Sequence, residues 1–177
     1  MDLRRDLAWR GNTTLGDYFH ACVEKQRIRN EVFDLIKNAE IRIDATILEK
    51  SKAHASTRNT APQFYQFAWH HHFQSVASQV LGRRDELLLT AASLGRKRER
   101  AAFTASVNEV VQQAVTGNSW ATCFWPAATD PCLQVADHCT WALQRKWERN
   151  DLRSYDLISS KVAQEYELWS DGSCHYY

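Results

Sequence analysis

The sequence predicts an α/β fold with a mostly parallel central sheet flanked by helices. Three short apolar stretches have the composition of β-strands, and longer stretches with helical periodicity separate them. Strands that alternate with helices usually form a parallel sheet joined by right-handed crossovers. The length of 177 residues is that of a single domain. We expect residues 1–25 to be an irregular N-terminal segment and residues 26–177 to be the α/β core.

The first predicted elements are a helix and a strand. From Gln26 to Ala39 the apolar residues recur at helical spacing. Residues 41–49 alternate between two faces and are rich in β-branched residues, which is typical of a strand. Residues 52–60 form a polar loop, and a second helix runs from Pro62 to about Gly82.

The next elements continue the alternation. Residues 87–92 are a continuous apolar run, which predicts a strand buried on both faces. Residues 99–115 have helical periodicity, and residues 120–125 form a third strand that Pro126 ends. Residues 153–169 are predicted to be the last helix.

The most clearly marked element is the helix from Pro131 to Arg149. Asp130 is a favourable N-cap, and Pro131 suits the first helical position because its missing N–H has no partner there. One apolar face is predicted to pack on the core: Cys132, Val135, Ala136, Cys139, Ala142, Leu143 and Trp147. Asp137 begins another flank with Trp141, Gln144 and Glu148, a pattern that suits either a metal-dependent site or a solvated surface.

Composition excludes some classes of protein. Lys and Arg number 22 and Asp and Glu 21, so any binding of nucleic acid must use a local basic patch. Five cysteines, without a C-x-x-C pair, indicate neither a disulfide framework nor a zinc site, and they suit a reducing cytoplasm. The sequence has no apolar run near the ~20 residues that span a bilayer, so we expect no membrane association.

Candidate site residues follow from the predicted sheet, because ligands bind at the carboxyl ends of parallel strands. Glu49 and Lys50 follow the first strand, and Lys50 could hold a phosphate. Asp44 lies within that strand. Arg96 and Lys97 follow the second strand and are candidates for substrate binding. Each has a plainer alternative, namely the polar end of a strand or a solvated helix start.

A basic group and a run of histidines are two further features of the sequence. Arg145 belongs to a basic group on the helix at 131–149 and is a candidate for substrate binding. The run His70-His71-His72 resembles a metal cluster, but adjacent helical residues point ~100° apart and cannot converge on one ion. Surface histidine is the expected role of most of this run.

Several stretches resemble one known family, and they extend along nearly the whole chain: Phe19–Ala21, Ile43–Lys50, Phe64–Gln66, Gln134–Asp137, Trp141–Arg149, Arg153–Ile158, Glu165–Trp169 and Tyr176–Tyr177. On these stretches the chain resembles the bacterial domain of unknown function 3800 family. That family is grouped with the ribonuclease-H-like fold, which implies metal-dependent phosphodiesterase or nuclease chemistry only by analogy.

The resemblance also implies roles for residues. Asp137 matches the family's C-terminal acid, so we expect it to be catalytic and to bind Mg²⁺ or Mn²⁺ together with Glu49. Gln134, in the same signature, is expected to bind substrate. A capping or salt-bridging Asp on an exposed flank is the alternative for Asp137. Nucleic acid is the partner that this assignment implies.

The chain departs from the family at its N-terminus, where relatives carry a strand with an Asp-Glu-Ser motif. The first acidic residues here are Asp2 and Asp6, so we expect an N-terminally incomplete form or a member that has lost the chemistry. Residues 41–49 would then form an edge strand that favours a homodimer. The alternative function is a non-catalytic nucleic-acid- or protein-binding module of a mobile-element or phage-defence system.

Overall fold

The computed structural model describes residues 3–11, 15–95 and 97–170, and these ranges contain six α-helices and four β-strands. The helices are α1 (Leu3–Trp9), α2 (Gln26–Asn38), α3 (Ala61–Val80), α4 (Lys97–Ala114), α5 (Pro131–Arg149) and α6 (Tyr155–Ile158). The strands are β1 (Ile43–Ile47), β2 (Leu87–Ala92), β3 (Trp120–Trp125) and β4 (Val162–Glu167). The predicted α/β class is confirmed.

The strands of the described residues form two separate pairs. β2 and β3 are parallel, with Leu87 opposite Trp120 and Ala92 opposite Trp125. β1 pairs with β4, and the Leu168 N–H donates to the Ile47 carbonyl at 3.1 Å, which places the carboxyl ends of both strands together. The predicted single central sheet is therefore corrected to two short pairs.

The end of the chain also differs from the prediction. Residues 153–169 are not one helix: α6 is a single turn, a 3₁₀ turn follows at Ser159–Lys161, and then β4 begins. β4 supplies the strand partner of β1. Pairing with a distant strand decides the conformation of a short segment whose local pattern suits helix and strand alike.

The described residues group into two compact units. Unit 1 consists of the described parts of Met1–Ile43 and Pro126–Ala163. Unit 2 consists of the described parts of Asp44–Trp125 and Gln164–Tyr177. The assignment of the whole chain to one domain stays a prediction.

In unit 1 the core includes part of the segment predicted to be irregular. α1 lies within residues 1–25, and its Leu7 is only 2% exposed, so this segment is partly helical and packed. Other buried apolar residues of the unit come from α2, α5 and their neighbours: Ala21, Ile28, Val32, Phe33, Ile36, Ile43, Leu133, Cys139, Ala142, Leu143 and Ile158.

α5 begins and ends as its sequence predicts. Asp130 Oδ1 accepts a hydrogen bond from the Leu133 N–H at 2.9 Å, and Asn150 ends the helix in the left-handed region at φ 51°.

The buried face of α5 is rotated from the predicted one. Cys139, Ala142 and Leu143 are buried as predicted, and Leu133 and His138 join them. Other predicted core residues are exposed: Cys132, Ala136 and Trp147. His138 does not belong to a hydrophobic pattern, so the predicted centre of the buried face of α5 lies too far to one side.

Unit 2 has its own core, in which α3 and α4 pack with β2 and β3. Its buried residues are Phe73, Leu89, Ala91, Val107, Val110, Val111 and Val115. β2 was predicted to be buried on both faces, but only one face is buried. Leu89 and Ala91 are buried, whereas Leu88 is 64% exposed. Among the helices of the described residues, none combines the length and hydropathy needed to cross a membrane.

The buried thiol of Cys139 predicts a pH dependence of stability. Burial raises the pKa of Cys139 from 9.0 to about 11, so the folded state holds this proton more tightly than the unfolded state. Its contribution to the free energy of unfolding is complete below pH 9 and falls as the pH rises towards 11. Cys139→Ala should therefore be less stable than wild type at pH 7.5, with a smaller difference at pH 10.5. Urea unfolding under reducing conditions measures this, with Cys132→Ala as the exposed control; a constant difference would contradict it.

Candidate functional site

In unit 1, residues 19–24 form a loop that is bound to the first turns of α5, and we call it the site loop. The Phe19 N–H donates to Gln134 Oε1 at 3.2 Å, and the Ala21 N–H donates to Asp137 Oδ2 at 2.8 Å. Gln134 Nε2 donates in turn to the Ala127 carbonyl at 3.3 Å. The structure thus brings two predicted site residues, Gln134 and Asp137, to the same loop.

A chain of three side chains runs from Asp137 through the site loop. Asp137 Oδ2 lies 2.9 Å from His20 Nδ1, and His20 Nε2 lies 3.1 Å from Cys22 Sγ. A carboxylate only accepts hydrogen bonds, so Nδ1 carries the hydrogen and Nε2 of the neutral ring has the lone pair. That lone pair faces the Cys22 thiol. The order thiol, imidazole, carboxylate is that of an activated nucleophile, its base and the group that orients the base.

Local structure explains the spacing of His20 and Cys22. The Val23 N–H donates to the His20 carbonyl at 3.2 Å and closes a turn in which these two side chains approach each other. The ring of Tyr18 stacks on the His20 ring, with centroids 6.0 Å apart and planes 20° from parallel. Ala21, between His20 and Cys22 in the sequence, is fully buried and anchors the site loop.

A second pair of side chains, Glu24 and His138, connects the site loop to α5. Glu24 Oε1 accepts from the His20 N–H at 3.1 Å, and Glu24 Oε2 lies 3.1 Å from His138 Nε2. His138 Nδ1 is 2.8 Å from the Gln134 carbonyl, which can only accept. Nδ1 therefore carries one hydrogen, and the Nε2–Glu24 contact needs another, held by His138 or by Glu24. The His138 side chain is fully buried and that of Glu24 is 11% exposed.

Arginine side chains flank this arrangement. Arg29 Nη1 donates to the Ala21 carbonyl at 2.7 Å and also to the Glu24 carbonyl, and its guanidinium lies 4.4 Å from the centroid of the Trp141 ring. Burial lowers the pKa of Arg29; among nearby charges, Glu24 raises it, and Arg145 lowers it. Arg29 therefore braces the site loop and brings a positive charge beside it.

Further arginines lie on α5, at Arg145, and after its end, at Arg153. Arg145 lies 5.7 Å from the Trp141 centroid, and its Nη2 binds Asp151 Oδ2 at 2.9 Å. Arg153 Nη2 binds the same oxygen at 2.8 Å. Hydrogen bonds from Arg153 and then Arg145 hold the pKa of Asp151 far below its ordinary value. We call Arg29, Arg145 and Arg153 the arginine flank; Asp151 binds Arg145 and Arg153, and Arg29 is held by the Ala21 and Glu24 carbonyls.

The other predicted acids lie in unit 2. Glu49 precedes a 3₁₀ helix at Lys50–Lys52, and its Oε2 pairs with Lys52 Nζ at 3.1 Å. Lys50 Nζ lies 5.3 Å from the centroid of the Phe64 ring. Asp44 is a residue of β1. The joint site of Asp137 with these residues remains a prediction.

The remaining predicted residues are the basic residues 96–97 and the histidines 70–72. Arg96 lies outside the described residues, and Lys97 begins α4. His70 and His71 line an open groove of about 490 Å³ in unit 2, whereas His72 Nδ1 lies 3.0 Å from Thr46 Oγ1. The three consecutive histidines therefore have different surroundings.

The fit of a divalent metal can be examined at Asp137. Its Oδ2 already accepts hydrogen bonds from the Ala21 N–H and from His20, and N–H donors compete with a cation for the same oxygen. No three His, Cys, Asp or Glu side chains of the described residues lie together as a metal site. Asp137 Oδ2 is thus engaged as a hydrogen-bond acceptor within unit 1, and we derive no reaction step through a metal.

Sequence reasoning missed most of the residues that surround Asp137. His20 enters the sequence analysis only within the Phe19–Ala21 resemblance. Cys22 and His138 were not considered as site residues. The available signal was the alternation of His20, Cys22 and Glu24, but the α5 partners of this loop lie 114 to 117 positions away in the sequence.

Comparison of the chain with protein-family models, with curated proteins and with solved structures finds no match. The resemblance to the domain of unknown function 3800 family and to the ribonuclease-H-like fold therefore stays a prediction.

Proposed function

We propose that this protein is a hydrolase of phosphoesters, with the phosphodiester backbone of nucleic acid as its substrate class, and that His20 moves the proton in the reaction. The contact that supports this is the 2.9 Å distance between Asp137 Oδ2 and His20 Nδ1. A carboxylate at this position fixes the tautomer and orientation of the ring and stabilises the imidazolium that forms when Nε2 takes a proton. In this proposal Asp137 positions the base, a role different from the metal ligand that the resemblance implies.

The arginine flank supports an anionic substrate. Arg29 contacts the site loop directly, and Arg145 shares the Trp141 ring with it. Guanidinium groups bind phosphate through paired N–H donors, and a chain of near-neutral overall charge needs such a local patch to bind a polyanion. The predicted role of Arg145 in substrate binding belongs to this proposal. The predicted cytoplasmic location also belongs to it, because a reducing compartment keeps an exposed thiol such as Cys22 reduced.

The test is a hydrolysis assay with bis(p-nitrophenyl) phosphate, single-stranded DNA and single-stranded RNA, with EDTA, Mg²⁺ or Mn²⁺ present. We expect wild type to hydrolyse at least one of these and His20→Gln to be slower by roughly 10²–10⁴-fold, the range typical of a lost general base. His54→Gln, at an exposed histidine of unit 2, is the control. Nucleic-acid binding without hydrolysis under all conditions would instead support the non-catalytic module.

The predicted Mg²⁺ or Mn²⁺ dependence is tested separately. If Asp137 is a ligand, Mn²⁺ should raise the melting temperature of wild type and leave that of Asp137→Asn unchanged. Equal shifts in both proteins would remove Asp137 from any metal site, and the His20–Asp137 pair would remain as the reactive group.

A further inference from the structure

We infer that Cys22 is a second reactive group of this protein: a thiol nucleophile that His20 deprotonates. The inference rests on the proposed function for its target, an electrophilic phosphorus, but the activation of the thiol stands on geometry alone. Cys22 Sγ is 3.1 Å from His20 Nε2, and the other ring nitrogen is held by Asp137.

Exposure combined with a histidine contact separates Cys22 from the other cysteines of the described residues. Cys22 and Cys132 are exposed, Cys123 is intermediate, and Cys139 is buried. Of the two exposed thiols, only Cys22 has a described contact with a histidine. A reactive cysteine needs both access and a neighbouring base, because the thiolate is the nucleophile. Cys132, near the start of α5, has access without the base.

The surroundings of Cys22 suit a negatively charged thiolate. Arg29 braces the loop on both sides of Cys22 through the Ala21 and Glu24 carbonyls. Nearby cations and an imidazolium stabilise a thiolate.

The reaction balances with one substrate and one water. His20 Nε2 takes the proton from Cys22 Sγ, the sulfur attacks phosphorus, an S–P bond forms, and the P–O bond to the leaving alcohol breaks. The imidazolium gives its proton to the leaving oxygen. Water then attacks phosphorus with His20 as base, an O–P bond forms, the S–P bond breaks, and the thiolate recovers the proton.

The first test is alkylation by iodoacetamide at pH 7, followed by peptide mass mapping of the full chain. We expect Cys22 to react about tenfold faster than Cys132 in wild type. In His20→Gln the rate at Cys22 should fall to about that of Cys132, while the rate at Cys132 itself stays unchanged. Equal rates at the two cysteines in wild type, or a fast rate at Cys22 that persists in His20→Gln, would overturn the inference.

The second test separates the inference from the proposed function. With bis(p-nitrophenyl) phosphate, acid quenching of wild type should leave the mass of one p-nitrophenyl phosphate group on the Cys22 peptide, and Cys22→Ala should lose hydrolysis. Hydrolysis that survives in Cys22→Ala but not in His20→Gln would keep the proposed function and overturn the nucleophile. Fast, His20-dependent alkylation in a protein that hydrolyses no phosphoester would keep the activated thiol and overturn its phosphorus target.

Discussion

Asp137→Asn is expected to lower the rate of hydrolysis by roughly 10²–10⁴-fold with little change in folding. An asparagine amide can still accept a hydrogen bond from the Ala21 N–H, so the site loop should remain bound to α5. The same oxygen position also faces His20 Nδ1, so the amide keeps the ring tautomer but lacks the negative charge that stabilises the imidazolium formed when Nε2 takes a proton.

A matched control for this substitution lies on the same helix. Asp130→Asn makes the same chemical change at the N-cap of α5, where asparagine caps about as well as aspartate, so rate and stability should both stay near wild type. The measurement is the hydrolysis rate together with urea unfolding of each variant. An Asp137→Asn protein as active as Asp130→Asn would show that His20 does not depend on Asp137.

His138→Leu is expected to reduce the free energy of unfolding by about 1–3 kcal/mol, the usual cost of leaving a buried polar group without its hydrogen-bond partner. His138 is fully buried, and its loss leaves Glu24 and the Gln134 carbonyl without their described partner on that side. Because Glu24 also accepts from the His20 N–H, the site loop should loosen as well.

The double variant His138→Leu/Glu24→Gln shows where that cost arises. Replacing Glu24 with a neutral amide removes the acid that has lost its partner, so the double variant should recover part of the stability lost in His138→Leu. Urea unfolding of wild type, both single variants and the double variant gives the coupling energy between the two positions. Purely additive losses would mean that the 3.1 Å contact contributes little to the fold.

Prediction from sequence was most successful where the signals were local. α5 is marked by an N-cap and a proline at its start, and β2 and β3 are marked by apolar runs with clear ends, so their bounds follow from a few neighbouring residues. β4 was missed because its six residues alternate only weakly and its identity as a strand depends on β1.

Only part of the candidate site was predicted, because its contacts join residues that are far apart in the sequence. Asp137 was recognised because its helix is well marked and the resemblance includes it. Its partner His20 lies 117 positions away, in a loop whose conformation is set by hydrogen bonds to α5. Neither hydrophobic periodicity nor residue spacing carries information about such a contact.

The pairing of β1 with β4 has a consequence for how the protein is made. The Lys161 ammonium bonds to the Ala39 carbonyl at 2.7 Å beside these strands, and the two residues are 122 positions apart. At a synthesis rate of about 5–20 residues per second, β1 leaves the ribosome roughly 6–24 s before its partner exists. During that interval its backbone groups are open to chaperones and to neighbouring nascent chains. Slower translation of the segment between the two strands would lengthen this exposure, so the yield of folded protein should depend on codon usage there.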